Sequence, residues 1–394
     1  MRIPNINELF EDRNLATFML MFMSVQFIFI EGMTISIPKV AFMSIMPLIW
    51  LVKFPYPTKA LLYGFSFLLV TMMMCEINGN ITRYSTFIYT ALFLFTFTVY
   101  YNLVWIKECF TLNYFQNLVK WMIFGYTICL LLQQGCILVG IRNFPLINLV
   151  GAGYYSVNHL NTLAIEPSQA ARIMTVFFYT FLKCTEYQNN QPLGIKDLYK
   201  NYKWVIISFI YFMIFIGSGT AMVGVAVIAL YFVKKKYAFF ILFVGLMLYI
   251  VSPYIDYAPY NRAIDTLNAA ITGDKEDIIN ADHSASTRVN IILDTLTKTD
   301  LADSQTWIGH GMEAEREYTI NRAIYDYGLI SYVIKITFFM TCCFTAVFSL
   351  ETLMFVLLFG MNIGNIAYGW AALMTFTTLK YFKAKTKSDL SVAY

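Results

Sequence analysis

The chain has 394 residues, of which 58% are apolar, 18% aromatic and 13% charged, with a mean hydropathy of +0.59 and a formal net charge of +4. Soluble domains carry about 25% charged residues, so composition excludes a secreted, cytosolic or nucleic-acid-binding globular protein and points to an all-α, polytopic helical membrane protein. Seven cysteines show no Cys-x-x-Cys or Cys/His spacing, which indicates neither a disulfide framework nor a zinc site.

Apolar runs predict spans at 15–30, 35–52, 60–75, 87–106, 118–139, 167–184, 204–216, 221–233, 237–251 and 329–348. Runs such as 15–30, 87–106 and 329–348 are long enough to cross or nearly cross a hydrocarbon layer of about 30 Å, whereas the arms 204–216 and 221–233 are short. No small-residue cleavage site follows the first run, so it reads as a retained span. Lysine-rich segments recur after alternate spans: Lys53 and Lys59, Lys107 and Lys120, Lys183 to Lys203, and Lys234 to Lys236. Because such segments stay in the cytoplasm, the amino terminus is placed inside. Trp204 to Val233 must then be a hairpin with Gly217, Ser218 and Gly219 at its tip. Lys380, Lys383, Lys385 and Lys387 favour splitting Thr352 to Tyr381 at Asn362, Gly364 and Asn365, which brings the expectation to about twelve spans.

On this topology 1–394 is a single membrane domain with two long outer loops, 140–166 and 252–327. The second holds thirteen acidic and six basic residues, and Val289, Ile292, Leu293 and Leu296 recur at the spacing of one amphipathic helix. A loop that long is usually functional.

Of nine arginines, Arg83, Arg142, Arg172, Arg262, Arg288, Arg316 and Arg322 fall outside or near the outer ends of spans. The positive-inside rule disfavours that placement, whereas guanidinium forks suit phosphate. Pairing with the acidic loop is the plainer explanation for Arg262 and Arg316. Arg172 lies within an apolar helix opened by Glu166, Pro167 and Ser168, with proline in the favoured first-turn place. Ser168 and Arg172 share a face, and an ionisable residue inside a span is a functional candidate; the plainer alternative is a snorkelling arginine paired with Glu166. His159, His283 and His310 also fall in outer loops, and Gly309 and Gly311 flank His310. Asp-x-Asp, a complete dinucleotide fingerprint and a Walker A loop are all missing.

Taken together, Glu166-Pro167-Ser168, Gly217-Ser218-Gly219-Thr220, Ser286-Thr287-Arg288, Gly309-His310-Gly311 and Asp326-Tyr327-Gly328-Leu329 resemble the O-antigen and capsular polysaccharide polymerases, the Wzy family. The related O-antigen ligases carry a His-Asn pair where this chain has Asn321-Arg322. The resemblance implies a C-type (GT-C) glycosyltransferase architecture in the bacterial inner membrane, acting at the periplasmic face on undecaprenyl-diphosphate-linked oligosaccharide repeat units. It implies no cofactor and no metal, with a chain-length regulator and a flippase as partners in the same membrane. Arg172 and Arg288, assisted by Arg322, would hold the diphosphate; Ser168, Gly217 and Ser218 would line the site, with Glu166 or His310 as base or acceptor-orienting group. Ligase and lipid-linked oligosaccharide flippase or transporter are the alternatives.

Overall fold

A computed structural model describes residues 11–26, 36–78, 84–141, 160–192, 194–233, 261, 294–295, 297–312, 321–360 and 366–392. Among them every regular element is a helix. In chain order these are α1 (Asp12–Ser24), α2 (Ile37–Lys53), α3 (Lys59–Ile77), α4 (Tyr84–Trp105), α5 (Leu112–Leu138), α6 (Pro167–Asn189), α7 (Ile195–Phe215), α8 (Gly219–Tyr231), α9 (Ser304–Ile308), α10 (Arg322–Cys342), α11 (Leu350–Phe359) and α12 (Ala367–Val392). Four of them, α3, α4, α5 and α10, are long and apolar enough to cross a membrane. The expected span 237–251, His159, His283, Arg288 and most of the amphipathic segment 289–296 lie outside the described residues.

Helix boundaries follow local chemistry. Thr111, Ser218, Asn321 and Ser349 each accept a backbone N–H with their side-chain oxygens at the starts of α5, α8, α10 and α11, satisfying donors that a helix leaves orphaned. Pro38 and Pro167 sit in the first turns of α2 and α6, where a missing N–H costs nothing. Asn190 at φ +53 and Gly360 at φ +61 end α6 and α11.

Two expected spans are corrected at their boundaries. The first arm of the hairpin begins at Ile195 instead of 204 and is kinked at Tyr202, because the amphiphilic turn Ile195 to Lys203 continues the helix into its basic flank. The span expected at 329–348 runs from Arg322 to Cys342. Asn321 caps its start, so the long loop ends six residues earlier than the hydropathy boundary, and Gly328 breaks the helix one turn in. The final stretch divides as expected into α11 and α12, and every residue of α12 from Ala371 to Leu379 is fully buried. A helix buried on all faces is a core element. Its threonine hydroxyls are satisfied within the bundle: Thr375 and Thr378 bond back to Ala371 O and Met374 O of their own helix, Thr378 also meets the Tyr100 hydroxyl of α4 at 2.9 Å, and Thr377 donates to Cys342 O at the end of α10.

Long-range contacts fix the helix directions. Phe93 stacks on Trp370 and Trp105 meets Tyr381 edge-on, so α4 and α12 run parallel. Gln116 bonds Thr185 while Gln133 reaches Thr162, so α5 and α6 are antiparallel. Thr71 bonds Ser331 and Asn78 bonds Ile308 O, which sets α3 antiparallel to α10. The bundle therefore has two distinct ends. One gathers Ser24, Gln133, Glu166, His310, Arg322 and Tyr368. The other gathers Lys53, Glu108, Lys183, Lys380 and Lys385, tied by the pairs Lys53–Asp12, Lys183–Glu186 and Lys385–Glu108. Outside the spans, the hydrogen bond and charge of Lys385 hold the Glu108 carboxyl below the usual carboxylate range.

Candidate functional site

The first group of candidate residues is built on α6. Glu166 occupies the N-cap position in an extended conformation, and its carbonyl accepts from Gln169 N–H and Ala170 N–H at 3.1 and 3.2 Å. Its exposed carboxylate accepts from the Ser168 hydroxyl at 3.3 Å. Arg172 stands one turn further in. Its Nη1 donates to the Tyr368 hydroxyl of α12 at 2.8 Å, and its guanidinium carbon lies 5.8 Å from the centre of that ring. Among the described residues the buried Arg172 Nε has no hydrogen-bond partner. Among the described residues no carboxylate forms an ion pair with Arg172, so the pairing with Glu166 weighed from sequence is replaced by a neutral tyrosine.

The hairpin tip belongs to the same group. Gly217 adopts φ +72, and the Ser218 hydroxyl caps α8 by accepting from Thr220 N–H at 3.3 Å. A Cβ on Gly224 would collide with Thr175 and stand 2.8 Å from Met213 Cε, so α8 lies directly on α6. Tyr231 donates to Glu186 at 2.8 Å seven residues further along, which makes the two helices parallel. Continuing this register backwards at 1.5 Å per residue sets Ser218 and Thr220 level with the first turns of α6.

A second group lies at the same end on other helices. The segment Trp307 to Gly311 crosses the start of α10, where His310 N–H donates to Tyr325 O at 2.8 Å and Gly311 N–H to Asp326 O at 3.0 Å. The His310 ring stacks flat on Tyr325 with centroids 4.1 Å apart. Gly309 and Gly328 meet where the strands of chain cross; each has positive φ, and a Cβ on Gly309 would stand 2.6 Å from Asp326 O and from Gly328 N. Two glycines are what allow backbone to touch backbone here. The motifs Gly309-His310-Gly311 and Asp326-Tyr327-Gly328-Leu329, seventeen residues apart in sequence, thus form one structural unit. Arg322 Nε donates to the buried Asp326 at 2.9 Å, with the arginine itself 58% exposed. This pairing gives Arg322 a counter-charge that Arg172 lacks among the described residues.

Sequence reasoning missed Tyr368, and it missed Gln133, Asn161 and Thr162. Gln133 is fully buried and holds Thr162 by both backbone groups. The signal was present: Gln133 and Gln134 stand side by side in an otherwise apolar run, and amides inside a span want partners. Tyr211 donates to Gln134 at 2.5 Å, so the pair clamps the 160–166 segment on one side and α7 on the other. Comparison with family models, with curated proteins and with solved structures yields no match to this chain.

Proposed function

We propose that the chain is a membrane polysaccharide polymerase, a C-type glycosyltransferase of about twelve spans that joins undecaprenyl-diphosphate-linked oligosaccharide repeat units. The observation that carries this reading is Arg172: a guanidinium in the buried first half of α6 that, among the described residues, has a buried Nε with no hydrogen-bond partner and no carboxylate bonded to it. A guanidinium in that state favours an anionic ligand with paired oxygens. The nearby Glu166 supplies an exposed carboxylate at the helix start, and the helix N-terminus adds a favourable dipole for an anion.

In the proposed step a hydroxyl of the acceptor glycan attacks the anomeric carbon of the donor. The new glycosidic C–O bond forms as the bond from that carbon to the diphosphate oxygen breaks. Glu166 takes the hydroxyl proton, and Arg172 holds the negative charge that grows on the departing undecaprenyl diphosphate. Charge stabilisation by donors already in place lowers the barrier without further reorganisation. The gathering of Lys53, Lys59, Lys183, Lys196, Lys200, Lys203 and Lys380 toward the opposite end of the bundle supports placing the Glu166 end at the periplasmic face.

The test is lengthening of lipid-linked repeat units by purified protein in detergent, with EDTA present and no added nucleotide. Wild type forms dimers and longer products, and Arg172→Ala lowers the rate by about 100-fold or more while the protein remains folded. A folded wild type that makes no new glycosidic bond, or an Arg172→Ala variant with unchanged rate, refutes the proposal. Glycosidic bond formation by the wild type is also what separates it from a flippase or transporter, which would make none.

A further inference from the structure

The segment leading into α6 contains a residue whose conformation is costly. Thr162 has φ +53, a left-handed backbone in which a β-branched side chain is a real outlier. It is 1% exposed, and its buried hydroxyl oxygen has no hydrogen-bond partner among the described residues. Glycine at this position would carry neither cost. Such strain persists only where the surroundings over-determine it.

Here the surroundings are Gln133 of α5. Its Oε1 accepts from Thr162 N–H at 2.9 Å, and its Nε2 donates to Thr162 O at 3.5 Å and to Asn161 Oδ1 at 3.3 Å. Asn161 passes the constraint on: its Nδ2 donates to Ile165 O at 3.2 Å, and its carbonyl accepts from Ala164 N–H at 3.0 Å. The next residue is Glu166, whose carbonyl begins α6. From the opposite side Gln26 N–H donates to Leu163 O at 2.8 Å, and the buried Lys39 ammonium holds Gln26 Oε1 at 3.2 Å. Residues 161–165 are therefore gripped at three consecutive positions immediately before the proposed site.

We infer that Gln133 is a positioning residue: by imposing the left-handed turn at Thr162 it sets where Glu166 and the first turn of α6, with Arg172, stand relative to the diphosphate-linked substrate. This inference rests on the function proposed above. Gln133 touches no reacting atom; it acts through Asn161 and Thr162. The strain at Thr162 is released if the clamp is cut, because the unheld backbone relaxes toward negative φ and carries Ile165 and Glu166 with it.

Three variants test the idea: Gln133→Ala, Thr162→Gly and the two combined, each compared with wild type for thermal unfolding, for turnover per folded molecule and for binding of undecaprenyl diphosphate alone. Gln133→Ala lowers turnover by about tenfold or more, since a displacement near 1 Å at a reacting group costs that much, and it weakens undecaprenyl diphosphate binding. Thr162→Gly in the Gln133→Ala background restores most of the turnover, because glycine occupies the left-handed turn without help. If Gln133→Ala unfolds more easily but its folded fraction turns over and binds as wild type does, Gln133 is only a folding residue and the inference falls. A double variant no better than Gln133→Ala overturns it too. A wild type that binds undecaprenyl diphosphate but forms no glycan refutes the polymerase reading separately, and the binding series then still decides the role of Gln133. A wild type that neither binds nor lengthens overturns both.

Discussion

The crossing of Gly309 and Gly328 invites a direct measurement, because the cost of filling it can be set against a control in the same chain. Gly328 has φ +79 and ψ 162, and Gly309 has φ +83 and ψ 177, a region open almost solely to glycine, where another residue costs about 1–3 kcal/mol. A Cβ on Gly328 would also stand 2.5 Å from Ile308 C and 2.6 Å from Gly309 N. Those are backbone atoms that no rotamer change can move, so overpacking adds about 1–3 kcal/mol. Gly360 also has positive φ but nothing within 4 Å of a new Cβ, so alanine there meets only the left-handed cost of about 1–2 kcal/mol. Gly328→Ala should therefore destabilise the protein by about 2–6 kcal/mol, clearly more than Gly360→Ala, in thermal or denaturant unfolding in detergent. It should also release His310, whose position depends on N–H donation to Tyr325 across the same crossing. Equal destabilisation by the two variants would refute the close crossing as the reason for the glycines.

Two further outcomes are expected. Cysteines placed at Lys107 and at Ser388 should be labelled from one side of the membrane and a cysteine at Ser168 from the other, because Glu108 pairs with Lys385 at the end opposite Glu166; labelling of Lys107 and Ser388 from opposite sides breaks the bundle as described. The Glu108–Lys385 pair should contribute no more than about 1 kcal/mol, both side chains being roughly half exposed. The folded carboxyl titrates below its ordinary value of 4.5, so that contribution is present above this pH and lost as pH falls through the lower folded value. Unfolding of wild type and Lys385→Met followed from pH 7 to pH 3 checks the sign, with the gap between them closing on the acid side.

How far the fold was legible depended on whether the deciding signal was local. Helix existence followed from runs of apolar residues, and the break between α11 and α12 fell where Asn362, Gly364 and Asn365 interrupt the run. The start of α6 was legible because Pro167 and the residues around it mark a first turn within the sequence itself. Boundaries failed where amphiphilic residues extend a helix past its apolar segment, as at Ile195 and Arg322. Hydropathy registers where lipid begins, whereas the hydrogen-bond ladder continues until a cap or a glycine stops it. The central place of α12 was illegible for a related reason: its small and hydroxylated residues lower its apolarity while letting three neighbouring helices approach closely.

The site shows the same division. Arg172 stood out because a charge within an apolar run is costly wherever it points, but its partner is 196 residues away on α12. Nothing in the local pattern around Tyr368 distinguishes it from the other tyrosines of the chain. The two glycine motifs likewise each looked weak alone, and it is only their mutual contact that explains both: Gly309 needs no side chain because Gly328 occupies that space, and the reverse. Gln133 is the most instructive case. Its amide is visible in sequence as a polar group in a span, yet its meaning depends on a left-handed turn at Thr162 that residue type argues against. A residue whose conformation contradicts its own preference cannot be found from preferences. It emerges once the groups that enforce the conformation are seen, and the enforcing groups here lead in four residues from Thr162 to Glu166.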